Sequence, residues 1–339
     1  MGHNVTCVSE TSTSETAMKQ LGRLLYSHAE DQPALAIISM LIGLMALSLQ
    51  DALGKILSSH LSLWQFQSSR ALLNVAFVLL LARVTMRGFH LVPHNRLAVF
   101  FRSLMHVGAM MCFFGSAPFL TMAEMAGGLY TFPLFVAVLG AVVLKEQVGV
   151  RRIGAILMGF AGTLLILRPG TESFRLVALL PVGAGFCYAI FIVITRRYCK
   201  AESPVVLTLF SNILIFCSGC IGMLTLTLLQ PPDHVVEQYP FILSTWMPML
   251  SWMLVLVVIC TVFNVIGNIT MSKAYQSAES SFLAPFDYSY LVFASFWGFV
   301  FWRDIPEPLT LMGMVMIAAS GIFVAWRERR LMQIRAVKA

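Results

Sequence analysis

Apolar residues gather in ten stretches along the chain, near 34–57, 62–83, 97–120, 123–144, 151–168, 176–195, 204–229, 246–270, 276–302 and 308–326. Each is close to the length a helix needs to cross ~30 Å of hydrocarbon, about 20 residues, and the fifth is the shortest. Charge clusters, Pro and Gly punctuate the stretches. Between the third and fourth, Thr121 is followed three residues later by Glu124, the spacing of a capping box, so a new helix starts there. The pattern predicts an all-α integral membrane protein with ten transmembrane helices.

Residues 1–33 are polar and rich in Ser, Thr and Glu. They lack the basic start, apolar core and small-residue cleavage site of a secretory signal, which predicts a retained cytoplasmic tail. In that compartment the sequon Asn4-Val5-Thr6 is without consequence. A second, basic tail follows at 329–339.

Composition narrows the class further. Of 339 residues, 58% are hydrophobic and 12% charged, with mean hydropathy +0.81. Soluble domains carry about 25% charged residues, so a soluble domain, a disulfide-rich scaffold and a disordered chain are all excluded. The net charge of +7 reflects loops facing anionic lipid rather than nucleic acid. With the N-terminus inside, 17 Lys and Arg fall on the inner segments and four on the outer ones. This predicts a multi-pass protein of the cytoplasmic (inner) membrane with both termini inside. Cys217 and Cys220 form a C-x-x-C without a second pair or a histidine, which reads as buried, inert thiols. No metal or cofactor is predicted.

The run Gly154-Ala155-Ile156-Leu157-Met158-Gly159-Phe160-Ala161-Gly162 recurs 159 residues later as Gly313-Met314-Val315-Met316-Ile317-Ala318-Ala319-Ser320-Gly321. Ala123-Glu124 matches Ala278-Glu279 in the same order. A duplication follows, with repeats at 34–169 (helices one to five) and 174–328 (helices six to ten). Five helices is an odd number, so the second copy enters from the opposite side of the membrane. Inverted repeats of this kind are common in secondary transporters. Gly154, Gly162, Gly313 and Gly321 are read as helix-packing residues.

The chain resembles the drug/metabolite transporter superfamily, in its ten-helix branch with two EamA-type domains. The resemblance rests on Asp51-Ala52-Leu53-Gly54-Lys55, Gln67-Ser68-Ser69-Arg70, Arg102, Ala123-Glu124-Met125-Ala126 leading to Pro133, and Lys145-Glu146. In the second half it rests on Ala284-Pro285-Phe286-Asp287-Tyr288 and Phe301-Trp302-Arg303-Asp304, where Asp304 replaces the usual Glu. It implies alternating access by one polypeptide without ATP, on a metabolite such as S-adenosylmethionine or riboflavin. Amino-acid and drug exporters share the skeleton. No phosphate-binding loop of the G-x-x-x-x-G-K-[ST] type occurs.

Ionisable groups inside membrane helices are costly and are functional candidates by default. Asp51 and Lys55 lie four apart on one helix face, and Arg70 sits at a similar depth in helix two. Asp51 is expected to pair with Arg70, Lys55 or both, as a structural clamp or as part of substrate recognition and gating. Asp287, midway along helix nine beside Tyr288, has no local basic partner, so it serves proton coupling, cation recognition or a helix–helix hydrogen bond. Pro285 opens a backbone carbonyl nearby. Arg102 snorkels to headgroups or pairs with Glu146. Glu124 caps helix four, and Pro133 follows in the same helix. Asn264 and Asn268 bond a substrate or a neighbouring helix. Tyr130, Phe132, Tyr288 and Trp297 are candidates for aromatic walls, and His106 for a packing residue. Arg70, Lys55, Asp51 and Asp287 together predict an amphoteric ligand with an aromatic or heterocyclic part. The expected partners are that small molecule, H+ or another coupling ion, and lipid, for a monomer or homodimer. A membrane-embedded enzyme is the competing class, but H-E-x-x-H, G-x-S-x-G and paired intramembrane aspartates are all missing from the sequence.

Overall fold

The computed structural model describes residues 33–85, 92–143, 150–168, 176–200, 202–277 and 280–338. Among these residues every regular element is helical. The ten spans are α1 Pro33–Leu57, α2 Leu63–Thr85, α3 Arg96–Gly115, α4 in two pieces (Met122–Leu129 and Phe132–Val143), and α5 Val150–Leu167. They continue with α6 Leu179–Tyr198, α7 Pro204–Leu229, α8 Ser251–Ser277, α9 in two pieces (Ser280–Asp287 and Ser289–Trp302), and α10 Pro308–Lys338. Two short helices, Asp233–Gln238 and Pro240–Leu243, lie in the α7–α8 connection. The polar segment 1–32 and the Lys145-Glu146-Gln147 turn lie outside the described residues, as does Glu279.

Several boundaries differ from the apolar pattern for local reasons. The third span stops at Gly115 rather than 120, because Pro118 cannot extend it. The eighth runs through Lys273 to Ser277. One lysine near a helix end reads as a loop in hydropathy but has no power to break a helix. Six spans are long and apolar enough to cross a membrane on composition alone: α1, α3, α4, α6, α7 and α8. α2 is not among them, because its first turns hold Gln65, Gln67, Ser68 and Arg70, all of which are buried against protein.

The two halves pack almost entirely on each other. α1 lies on α8 and α3 on α6, α2 lies on α7, and α5 lies on α10. Exchanging each helix of one half for its counterpart in the other reproduces this set of pairs. The molecule is therefore two inverted five-helix repeats related by a pseudo-two-fold axis. Glycines sit where backbones cross. A Cβ on Gly162 would meet the Gly313 carbonyl at 2.7 Å, and Gly43 and Gly267 face each other where α1 crosses α8. Gly219 and Gly222 receive Trp64 and Ser68 where α7 meets α2. Gly154 differs from the expected packing role, since no neighbouring atom lies within 4 Å of where its Cβ would be. Gly321 has a different partner from the helix expected, because it makes room for the Tyr288 side chain. The C-x-x-C thiols are not buried as expected. Cys217 is exposed and Cys220 half-buried, both free, on a helix in an apolar environment.

Candidate functional site

α4 and α9, counterparts in the two repeats, are the two helices that break, and both break near mid-span. At the first break Tyr130 caps the leading piece through its N–H to the Ala126 carbonyl, and the Thr131 hydroxyl donates to the Gly128 carbonyl at 2.7 Å. Pro133 has no N–H, so the Leu129 carbonyl has no intrahelical donor. That carbonyl abuts α6 at Gly185, where a Cβ would lie 2.8 Å away. At the second break Pro285 lies inside the leading piece and Tyr288 starts the trailing one. The tyrosines at the two breaks touch edge-on, with ring centroids 5.7 Å apart. Irregular backbone at membrane depth is tolerated only where protein or a wet cavity surrounds it, and paired interruptions mark binding sites in inverted-repeat carriers.

Asp287 ends the leading piece of α9, half-buried, with the Tyr130 hydroxyl in hydrogen-bonding reach. Its charge also acts on Tyr188, Tyr275 and Tyr288. One carboxylate thus acts electrostatically on four tyrosines. Tyr130 stacks on Tyr290 at 5.1 Å and meets Phe132, and Phe132 meets Tyr188. Along α8, residues Val257, Thr261, Asn264, Asn268 and Tyr275 recur at helical spacing on one face. Val257 and Thr261 are buried, whereas Asn268 and Tyr275 are exposed. Asn268 and Tyr275 lie toward the end of the molecule at which α1 begins and α10 ends, called the terminal face below. Asn268 bonds Asn264 (2.7 Å to its carbonyl) rather than a neighbouring helix.

The opposite half of the molecule is closed by polar contacts. Asp51 on α1 accepts from Tyr290 Oη at 2.5 Å and from the Gln50 side chain. Arg70 reaches Gln50 at 3.4 Å and Gln67 at 2.8 Å, with its guanidinium 4.7 Å from the Phe114 ring centre. The expected direct pairing is therefore replaced by a relay through Gln50. Lys55 does not pair with Asp51 either. It donates to the carbonyls of Ala117 and Leu120, both at 2.5 Å, and lies over the Trp302 ring. The turn between α3 and α4 supplies those carbonyls, and their position leaves no mark in a sequence. Beyond this layer the α7–α8 connection is pinned to the start of α2. Trp64 donates to the Ile242 carbonyl at 2.8 Å, and Gln65 exchanges two bonds with the Met247 backbone. Arg168, at the end of α5, pairs with Glu307, just before α10.

Arg102 does not snorkel. It is buried, donating to Thr195 (2.8 Å), the Leu207 carbonyl (3.1 Å) and Ser211 (3.0 Å), with Phe191 4.1 Å below its plane. Its proposed partner Glu146 lies outside the described residues. Glu124 and Thr121 form the reciprocal box, with Thr121 N donating to Glu124 at 2.8 Å and Glu124 N to Thr121 at 3.3 Å. At the terminal face Glu202, between α6 and α7, accepts from the Asn95 N–H at 2.7 Å, with His94 3.6 Å away. Desolvation pushes the Glu202 carboxyl up, but these donors outweigh it and hold it below the ordinary 4.5. Sequence reasoning missed this latch. His106, read as packing, has a buried ring nitrogen without a partner, and so does the Gln67 amide.

The sequence profile of the EamA-like transporter family matches residues 34–168 and 175–326. The chain belongs to that family, within the drug/metabolite transporter superfamily. Among its EamA-type relatives, a riboflavin transporter of Vibrio cholerae is 28% identical over 203 residues, 60% of this chain and 62% of that protein. An S-adenosylmethionine uptake transporter of Rickettsia prowazekii is 22% identical over 86% of this chain and 92% of its own. A pseudopaline exporter of Pseudomonas aeruginosa is 23% identical over 81% and 90% respectively. For the first relatives matched, the shared stretch spans only 62–63% of their length. A crystal structure of an 18% identical protein superposes with a TM-score of 0.55 over 86% of this chain and 98% of the other, a likeness of fold alone. The chain is a multi-pass membrane protein of this family, and the names of the family and its relatives point to transport rather than catalysis.

Proposed function

We propose that this chain carries a small amphoteric metabolite with an aromatic or heterocyclic part, of the S-adenosylmethionine or riboflavin type. It crosses the inner membrane by alternating access, with both termini cytoplasmic. The observation that carries the reading is the pair of facing helix breaks, which brings Asp287 among Tyr130, Tyr188, Tyr275 and Tyr288 near mid-span. Tyrosine rings offer stacking surface to a planar ligand, and the carboxylate offers an acceptor to a cationic or N–H-bearing end.

Asp51, Arg70 and Lys55 seal the far side of this site. With the termini inside, the conformation described is closed outward and opens along Asn264, Asn268 and Tyr275 to the cytoplasm. Asp287 is the proton-coupling residue in this reading, since a mid-bilayer carboxylate without a basic partner exchanges its proton and a cationic ligand at one place. The name of the S-adenosylmethionine uptake carrier favours uptake, and that of the pseudopaline exporter favours efflux.

A thermal-shift screen of detergent-purified protein against S-adenosylmethionine, riboflavin, aromatic amino acids and quaternary amines tests the ligand class. Binding to the folded state raises apparent stability by mass action. The reading requires a concentration-dependent shift with an amphoteric or heteroaromatic member. A response confined to simple monoanions or neutral sugars overturns it.

A further inference from the structure

The site above has an acceptor-rich pole at Asp287. Across the aromatic run from Tyr130 through Phe132 and Tyr188 to Phe191, α3 presents the opposite chemistry. His106 lies halfway along α3, so its depth matches the two breaks. Its ring packs 5.0 Å from Phe191, which itself stacks on Tyr188 at 5.3 Å. The charges of both Asp287 and Arg102 act on Tyr188. The charges that act on His106 are the guanidiniums of Arg102 and Arg70. Its Nδ1 is buried and has no hydrogen-bond partner, although the rest of the residue is half-exposed. Buried polar atoms are almost always satisfied, and an orphan at mid-membrane marks a group held for something else.

From this geometry we propose that His106, backed by Arg102, is a specificity-determining residue that binds the carboxylate or carbonyl-rich end of the transported molecule. The inference rests on the central site proposed above and adds its second pole. The ligand then lies across the tyrosines with its cationic or N–H-donating end at Asp287 and its acceptor end at α3. Arg102 supplies the attraction. Its own bonds to Thr195, Leu207 and Ser211 hold it in place without a carboxylate among the described residues. His106 supplies the directed contact, which a guanidinium already committed to three acceptors does not.

The test compares ligands that differ only in the carboxylate: S-adenosylmethionine with its decarboxylated form, and tryptophan with tryptamine. Affinities are measured by calorimetry on the purified full chain, for wild type, His106→Phe, His106→Gln and Asp287→Asn. A charge-assisted hydrogen bond corresponds to roughly a tenfold preference for the carboxylated partner. Wild type should show that preference, His106→Phe should lose it, and His106→Gln should recover most of it. Asp287→Asn should weaken both members of a pair together, leaving their ratio intact. A merely packing role for His106 would change both affinities alike, and an unchanged ratio in His106→Phe overturns this inference while leaving the central site standing. If His106→Phe does not fold, His106→Ala takes its place and its ratio decides in the same way. Failure of wild type to bind any of the four ligands overturns this inference, and failure to bind riboflavin as well overturns the reading it rests on.

Discussion

A carboxylate at mid-bilayer needs a reason to be there, and Asp287 has tyrosines for neighbours instead of a counter-ion. If it exchanges protons with the ligand, Asp287→Asn abolishes gradient-driven accumulation in proteoliposomes but leaves counterflow exchange intact. Loss of neither activity would remove Asp287 from the mechanism. Arg70 belongs to the closing layer. Its removal strands Asp51, Gln50 and Gln67 in a buried setting, so Arg70→Leu should lower thermal stability by roughly 3–5 kcal/mol, the usual cost of breaking a buried charged network. An unchanged melting temperature would mean that the layer does not hold the halves together. Asp51, Arg70 and Asp287 were all legible in the sequence, because charge in an apolar run is conspicuous. Their partners were not. Gln50 looks like one more polar residue, and the carbonyls that receive Lys55 look like nothing at all. His106 packs on Phe191 as read, but a lone histidine in an apolar helix carries no sign of whether its nitrogens are satisfied.

At the scale of elements, the ten apolar stretches were readable and the breaks within two of them were not. Both pieces of α4, and both of α9, are apolar, so hydropathy runs straight across Tyr130 and Tyr288. Pro133 and Pro285 were visible, but a proline signals a kink or a start as readily as a full interruption. The glycine repeat likewise announced close packing without saying which glycines were packed. Structure separates them, and the separation is testable. Gly162→Ala puts a methyl against the Gly313 carbonyl and should destabilise by about 1–3 kcal/mol. Gly154→Ala meets open space and should be neutral or stabilising by up to about 1 kcal/mol through helix propensity. Melting curves of the two variants side by side check this, and equal effects would contradict the α5–α10 crossing described here.

For the whole molecule, the pseudo-two-fold arrangement makes two closures, one at each face, out of the same parts. The Lys55 side is shut by a dense layer; among the described residues, a link at the terminal face runs from Glu202 to Asn95 and His94 and joins the second repeat to the first. Because the Glu202 carboxyl is held below its ordinary 4.5 when folded, the stability it contributes is present above that value. It is lost as pH falls through the folded value. Glu202→Gln should therefore melt below wild type at pH 7, with the gap closing in acid. A gap that persists at pH 3 would mean the carboxylate charge is not what holds the link.

Counterflow in ATP-free proteoliposomes measures the central claim most directly. Vesicles holding purified protein are loaded with unlabelled ligand identified by the binding screen, then diluted into trace labelled ligand. An alternating-access carrier returns labelled molecules only as fast as it empties the vesicle, so label should rise transiently above its equilibrium level before falling. Simple equilibration without that overshoot, or uptake that requires ATP, would contradict transport by two repeats rocking about the paired breaks at Tyr130 and Tyr288.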